Sequence, residues 1–269
     1  MKRKFYFIFF ILNFILILTS CKNNNYTATE YSYKLTDNIT DIDINWRVGD
    51  IEITSGDEFS IVEASQDGKA IAPLNYSIID NKLVLNYNSS NKNLKIVIDN
   101  KLDYNLIQIE TTNSIVTATN IVANELIING KVGDAKISNC NLNTLESNFT
   151  YICWISNINN SKINILKINH EKTNKILISN NSFKLIEYNF KSGTLFFSNN
   201  IFNFIKFSTI LGKINLTLNA DIGFTYYSNS ITSIDFETIH YNNKYIYLDG
   251  SKQIFCENYK GDITIYRQY

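Results

Sequence analysis

Residues able to do chemistry are sparse in this chain. It has two histidines and four cysteines. His170 lies in Asn169-His170-Glu171-Lys172, which reads as a polar surface turn, and His240 precedes Tyr241-Asn242-Asn243, another turn. There is no G-x-S-x-G, H-E-x-x-H or phosphate-binding glycine loop, so no nucleophile, zinc or nucleotide chemistry has a local signature. No C-x-x-C occurs, which leaves metal and redox chemistry without ligand spacing. Apart from Cys21, the cysteines are Cys140, Cys153 and Cys256. An odd set leaves at least one unpaired within the chain. Cys153, in Tyr151-Ile152-Cys153-Trp154-Ile155, reads as a small core residue, although a Cys140–Cys153 bridge stays open in an oxidising compartment.

Glycosidic bond cleavage needs paired carboxylates. Residues 137–220 offer only Glu146, Glu171 and Glu187. Asp41, Asp43, Asp50 and Asp57 cluster near the start without a D-x-[DN]-x-[DN]-G calcium loop. No catalytic, metal or cofactor site is therefore expected.

The exception is Cys21. Lys2-Arg3-Lys4 precedes a run, 5–18, that is apolar except for Asn13; then come Leu18-Thr19-Ser20-Cys21 and Lys22-Asn23-Asn24-Asn25. A basic start and a short apolar core read as an export signal, because a permanent span needs about 20 apolar residues. The small residues before Cys21 resemble the bacterial lipoprotein cleavage motif. That resemblance implies cleavage before Cys21, lipidation of its thiol, and the membrane as a partner. Two acyl chains hold where one does not. Residues 1–20 then form the signal peptide and 21–37 a polar tether. The expected location is the cell envelope, extracytoplasmic, on the outer membrane or cell surface.

What carries the rest of the chain is a repeat near 20 residues. Ile137, Ile158, Ile178 and Phe197 form one apolar column. Two residues on stand Asn139, Asn160, Asn180 and Asn199; five on, Leu142, Ile163, Phe183 and Phe202; eight on, Leu145, Leu166, Ile186 and Ile205. Nine on, Glu146, Lys167, Glu187 and Lys206 alternate in sign, as an outward ladder between stacked strands would. Asn suits the corner of each repeat, because it tolerates the left-handed conformation, and its amide can bond to the Asn above and below. Gly133, Gly193 and Gly212 mark strand entries. Gly49-Asp50-Ile51-Glu52-Ile53 is echoed by Gly261-Asp262-Ile263-Thr264-Ile265.

Composition agrees. Of 269 residues, 45% are hydrophobic, 17 are Tyr and 17 Phe, with one Pro, which favours strands with turns made by Asn. Lys+Arg and Asp+Glu are 25 each. That balance gives no electrostatic footprint for nucleic acid. The pattern predicts an all-β fold: a single-domain β-solenoid over 38–269 with ~20-residue rungs, regular from about 131 to 218. The alternative is an irregular β-sandwich or barrel. The acid-rich 37–58 reads as a charged cover at one end, and 224–269 as a cap at the other, giving a monomer.

The Gly-Asp-Ile units and apolar-x-apolar strands of 38–269 resemble the bacterial adhesin-like β-strand-repeat proteins. The resemblance implies a β-solenoid with single-strand rungs, exported or lipid-anchored, and no established activity. A long regular face offers repeated shallow contacts rather than one reactive pocket, so the expected role is non-enzymatic, adhesin-like binding or scaffolding at the envelope, with a glycan or protein as ligand. A carbohydrate-active solenoid enzyme and a purely architectural envelope protein are the alternatives.

Overall fold

A computed structural model describes residues 28–87, 92–235, 237–239 and 244–268. Every regular element among them is a β-strand, so the all-β expectation holds. Cys21 and the signal-like segment lie outside the described residues, as does His240.

Six long strands form the middle: β8 (Tyr104–Thr119), β9 (Val122–Ser138), β10 (Asn141–Asn159), β11 (Lys162–Ser179), β12 (Ser182–Ser198) and β13 (Phe204–Asn219). Each pairs in parallel with the next. The register matches the repeat residue by residue: Ile137 opposes Ile158, Ile158 opposes Ile178, and Ile178 opposes Phe197. Regularity also begins earlier than residue 131, since β8 joins the same register at Tyr104. Glu146, Lys167, Glu187 and Lys206 align as the alternating ladder.

Parallel neighbours joined by two residues, or by five between β12 and β13, demand an abrupt turn at one fixed place. Asn120, Asn139, Asn160, Asn180 and Asn199 provide it, all with φ between 50° and 58°. That is the left-handed region in which Asn costs least among residues with a side chain. The amide ladder, however, belongs to the next residue along, not to this column. The Cys140 N–H donates to Ser161 Oγ (3.0 Å), the Ser161 N–H to Asn181 Oδ1 (2.9 Å) and the Asn181 N–H to Asn200 Oδ1 (2.9 Å). Asn181 Nδ2 also donates to the carbonyls of Ile158 and Ser179, and Asn200 Nδ2 to those of Ile178 and Ser198. Ser161, Asn181 and Asn200 are buried, where unpaired backbone groups are costly. The turn Asn therefore sets the dihedral, and its neighbour satisfies the interior.

Each long strand bends midway. Gly133 and Gly193 sit at this corner with φ of 152° and 139°; a Cβ there would stand 1.9 and 1.8 Å from the carbonyl oxygens of Ser114 and Thr173. Only glycine fits. Gly49 and Gly261 are held the same way, against the carbonyls of Lys92 and Gly212. The Gly-Asp-Ile signature is thus a corner motif. An aspartate after the glycine staples the adjacent unit: Asp134 Oδ1 accepts the Ile155 N–H (3.0 Å) and Asp50 Oδ1 that of Ile115 (3.4 Å).

The remaining strands extend the two halves of these long strands as two rows. They are β1 (Glu30–Lys34), β2 (Asp41–Val48), β3 (Ile51–Gly56), β4 (Ser60–Ser65), β5 (Tyr76–Ile79), β6 (Lys82–Tyr87), β7 (Lys92–Asp99), β14 (Phe224–Ser228), β15 (Thr232–Ile234), β16 (Glu237–Ile239), β17 (Lys244–Tyr247), β18 (Lys252–Asn258) and β19 (Ile263–Gln268). One row runs β5-β6-β2-β8 through β13 to β18-β14-β17. The other runs β1-β4-β7-β3-β8 through β13 to β19-β15-β16. Parallel pairing gives way to antiparallel pairing at every end. The buried faces of both rows feed one apolar core, which includes Ile137, Leu145, Ile178, Phe183, Ile186, Phe197, Phe202 and Ile205, as the repeat predicts.

Two expectations about the ends change, and the open question of the cysteines is answered. Glu30–Lys34 form β1, so strand structure begins inside the segment 21–37 read as tether. Residues 37–58 do not cover an end: β2 and β3 are inner members that alternate buried Ile with outward acids, and β5 and β1 lie outside them. Cys140 and Cys153 are buried free thiols and form no bridge.

The division of labour at the turn is testable. Asn181→Leu leaves the buried Ser161 N–H without its acceptor and removes the side-chain donor to the Ile158 and Ser179 carbonyls, and should cost roughly 2–5 kcal/mol. Asn180→Gly keeps the left-handed turn and should cost less than about 1 kcal/mol. Equilibrium denaturant unfolding of both variants checks the ranking.

Candidate functional site

A concavity of about 500 Å³ follows the corner across β10–β13 and β18. Its floor is the inward column Phe149, His170, Phe190 and Thr209, which the register sets side by side. One lip carries Asn148, Asn169, Asn189, Ser208 and Glu257, and the other Thr150, Glu171, Lys191, Ile210 and Tyr259. Successive strands stand about 4.8 Å apart, so each lip is a ladder of equivalent positions.

The asparagine lip is a chain of side-chain amides. Asn148 Nδ2 donates to Asn129 Oδ1 (3.0 Å), Asn169 Nδ2 to Asn148 Oδ1 (3.0 Å) and Asn189 Nδ2 to Asn169 Oδ1 (2.9 Å). An amide has two donor hydrogens and two acceptor lone pairs. The chain uses one donor on Asn169 and one on Asn189, leaving polar capacity turned into the groove. This column stands eleven residues after the apolar column Ile137, Ile158 and Ile178. Its signal is therefore present in the repeat, but the abundance of Asn elsewhere masks it.

Charge in the groove is neutralised. Lys191 Nζ lies 2.5 Å from Glu171. Glu257 accepts from Ser208 Oγ (3.0 Å) and faces Lys206 at 3.5 Å. Glu171 and Glu257 stand on strands three steps apart, about 14 Å.

His170 is not on the surface: it is 3% exposed, in the floor. The polar flanks Asn169 and Glu171 mimic a turn, but they are the outward neighbours of an inward residue in a strand. The His170 ring sits edge-on to Phe149 and Tyr188. Nε2 meets Ser147 Oγ at 3.2 Å; Nδ1 meets Tyr188 Oη at 3.0 Å and Thr173 Oγ1 at 3.1 Å. Burial pushes its pKa down to about 3, so the ring is neutral and structural. Burial also holds the Cys153 thiol up at about 12 and raises Cys140 and Cys256; none of these is a ready nucleophile. No group of three or more His, Cys, Asp or Glu is placed to hold a metal among the described residues.

No family model and no curated protein matches the chain. Solved structures do. A candidate adhesin from Bacteroides fragilis superposes with a TM-score of 0.52 at 17% identity, covering 89% of this chain and 96% of that one. A candidate adhesin and a candidate lipid-binding protein from Parabacteroides distasonis give TM-scores of 0.45 and 0.43 at 11% and 12% identity, covering 88% and 91% of this chain and 96% and 98% of theirs. The first likeness is one of fold, and it agrees with the resemblance carried by the Gly-Asp-Ile units.

The buried imidazole makes stability depend on acidity. Its folded pKa is about 3 and the free value is 6.5. The unfolded chain therefore binds the extra proton first as pH falls below 6.5, and folding is penalised progressively down to about pH 3, by up to ~5 kcal/mol from this residue. His170→Phe should flatten that part of the stability–pH curve, measured by denaturant midpoints between about pH 7 and 3.5.

Proposed function

We propose that this chain is an exported, lipid-anchored, non-enzymatic protein that binds an extended neutral glycan along its corner groove. The observation that carries the reading is the asparagine lip. It is a ladder of amides at strand spacing with unused donors and acceptors, facing a lip that carries an exposed tyrosine, Tyr259. Sugar hydroxyls are donors and acceptors together, and such a ladder offers both at each step. A protein ligand at the same lip would serve the adhesin-like role equally; the neutral groove favours the glycan.

Strand pairing supports a β-solenoid of ~20-residue rungs as the scaffold. Seventeen extended residues reach about 56 Å, yet two-residue links join strands that pair in parallel from end to end. The end of each strand must then return beside its own start. The antiparallel strands at both ends support a capped monomer, with β14–β19 as the C-terminal cap. The alternative of a glycan-cleaving enzyme is disfavoured because retaining and inverting pairs need carboxylates roughly 5–9.5 Å apart, whereas Glu171 and Glu257 stand farther apart and each faces a lysine.

Two measurements decide the proposal. Asn169→Leu with Asn189→Leu should lower affinity for neutral oligosaccharides about tenfold or more, roughly 1.4 kcal/mol, in an array followed by calorimetry, with unchanged circular dichroism. Equal binding by the double variant would remove the groove from the reading. Cys21→Ser should abolish incorporation of labelled fatty acid; persistent labelling would refute the anchor.

A further inference from the structure

Beside the groove, the same corner carries an exposed patch of a different character. Tyr151, Trp154, Phe196 and Leu211 are 58%, 48%, 42% and 59% exposed. Lys172 Nζ lies 5.9 Å from the centre of the Tyr151 ring, and Lys175 Nζ 5.7 Å from that of Phe196. Neither lysine has a carboxylate partner among the described residues; their ammonium groups rest on aromatic faces. The register makes the patch continuous: Ser192 links Lys172 to Leu211, and Lys175 lies beside Ile155. Strand β10 carries extra residues here relative to both neighbours, and a bulge re-aims the side chain it bears. Trp154 sits in the bulge against β9, half exposed at the rim of a shallow depression that Gly133 and Asp134 also line.

We propose that this patch docks the protein on an anionic lipid surface, with Trp154, Leu211 and Phe196 entering the headgroup–acyl boundary while Lys172 and Lys175 meet anionic headgroups. The chemistry matches on both counts. Indole and phenol rings favour the interface of a bilayer, and lysines with long apolar stems bury the stem and keep the charge at headgroup level. Anionic leaflets attract each such lysine independently. An anionic glycan would complement the lysines but gains little from a projecting leucine and indole, which favour hydrocarbon. The proposal concerns the orientation of the domain and does not rest on the glycan groove or on acylation.

Trp154 supplies the readout, because the other tryptophan, Trp46, is fully buried. The full-length chain is reconstituted, by whatever anchor its N-terminus provides, in vesicles of phosphatidylcholine alone or mixed with phosphatidylglycerol. Quenching of tryptophan emission by brominated acyl chains and by aqueous acrylamide is then compared, with Trp154→Phe as baseline. The expected result is a blue shift and lipid quenching of Trp154 in the anionic vesicles, protection from acrylamide, and weakening by added salt. Lys172→Ser with Lys175→Ser, both surface changes, should lower the docking equilibrium roughly tenfold or more. Emission that ignores the lipid overturns the proposal. So does equal quenching in neutral and anionic vesicles, or quenching that survives loss of both lysines.

Discussion

A parallel stack of identical strands must turn at the same residue in every unit, and must leave no buried peptide group without a partner at that turn. Everything regular in this molecule depends on meeting both demands at once. Asn120, Asn139, Asn160, Asn180 and Asn199 meet the first by accepting a left-handed backbone. Ser161, Asn181 and Asn200 meet the second by bonding across units to amides and carbonyls that the corner directs inward. With the turn fixed, the register is fixed, because a slip of one residue would send every apolar column to the solvent face. The core columns, the charge ladder and the groove lips are all consequences of that single alignment.

Much of this is legible in the residues. Columns such as Ile137–Ile158–Ile178–Phe197 appear as themselves in the pairing, since apolar spacing records which side chains share a face. The amide ladder lies one residue away from where the repeat suggests it. Sequence shows that Asn recurs at the corner; it does not show which of two adjacent polar residues points inward. His170 misleads for a related reason: alternation within a strand surrounds an inward residue with polar neighbours, so local polarity mimics a turn. Gly133 and Gly193 read as strand entries, whereas their positive φ and close approach to a neighbouring carbonyl place them at a bend within the long strands. Contacts made by strands far apart in sequence, such as β13 with β18, leave no periodic trace at all.

The groove and the patch divide one corner chemically. Where the asparagine column faces out, charge is cancelled by ion pairs and the surface is polar but neutral. A few residues farther along the same strands, lysines lie over aromatic rings and apolar side chains project. Bulges between β10 and its neighbours separate the two regions. One irregularity in an otherwise repetitive scaffold thus permits two adjoining surfaces of opposite character, which a strictly regular stack cannot offer.

Both ends of the stack share an unusual order of strands. β2 and β3 lie between β8 and the later β6 and β7; β18 and β19 lie between β13 and the earlier β14 and β15. For a chain that emerges vectorially from a ribosome or an export channel, this order fixes a timetable. β14 and β15 can pair with β17 and β16, but they cannot be joined to β13 until β18 and β19 arrive to sit between. The edge of β13 stays open for that interval, with its ladder of unpaired amides and carbonyls available to any strand that passes. β18 and β19 are therefore the closing pieces of this edge, and the hazard of mispairing is greatest in the interval before they arrive.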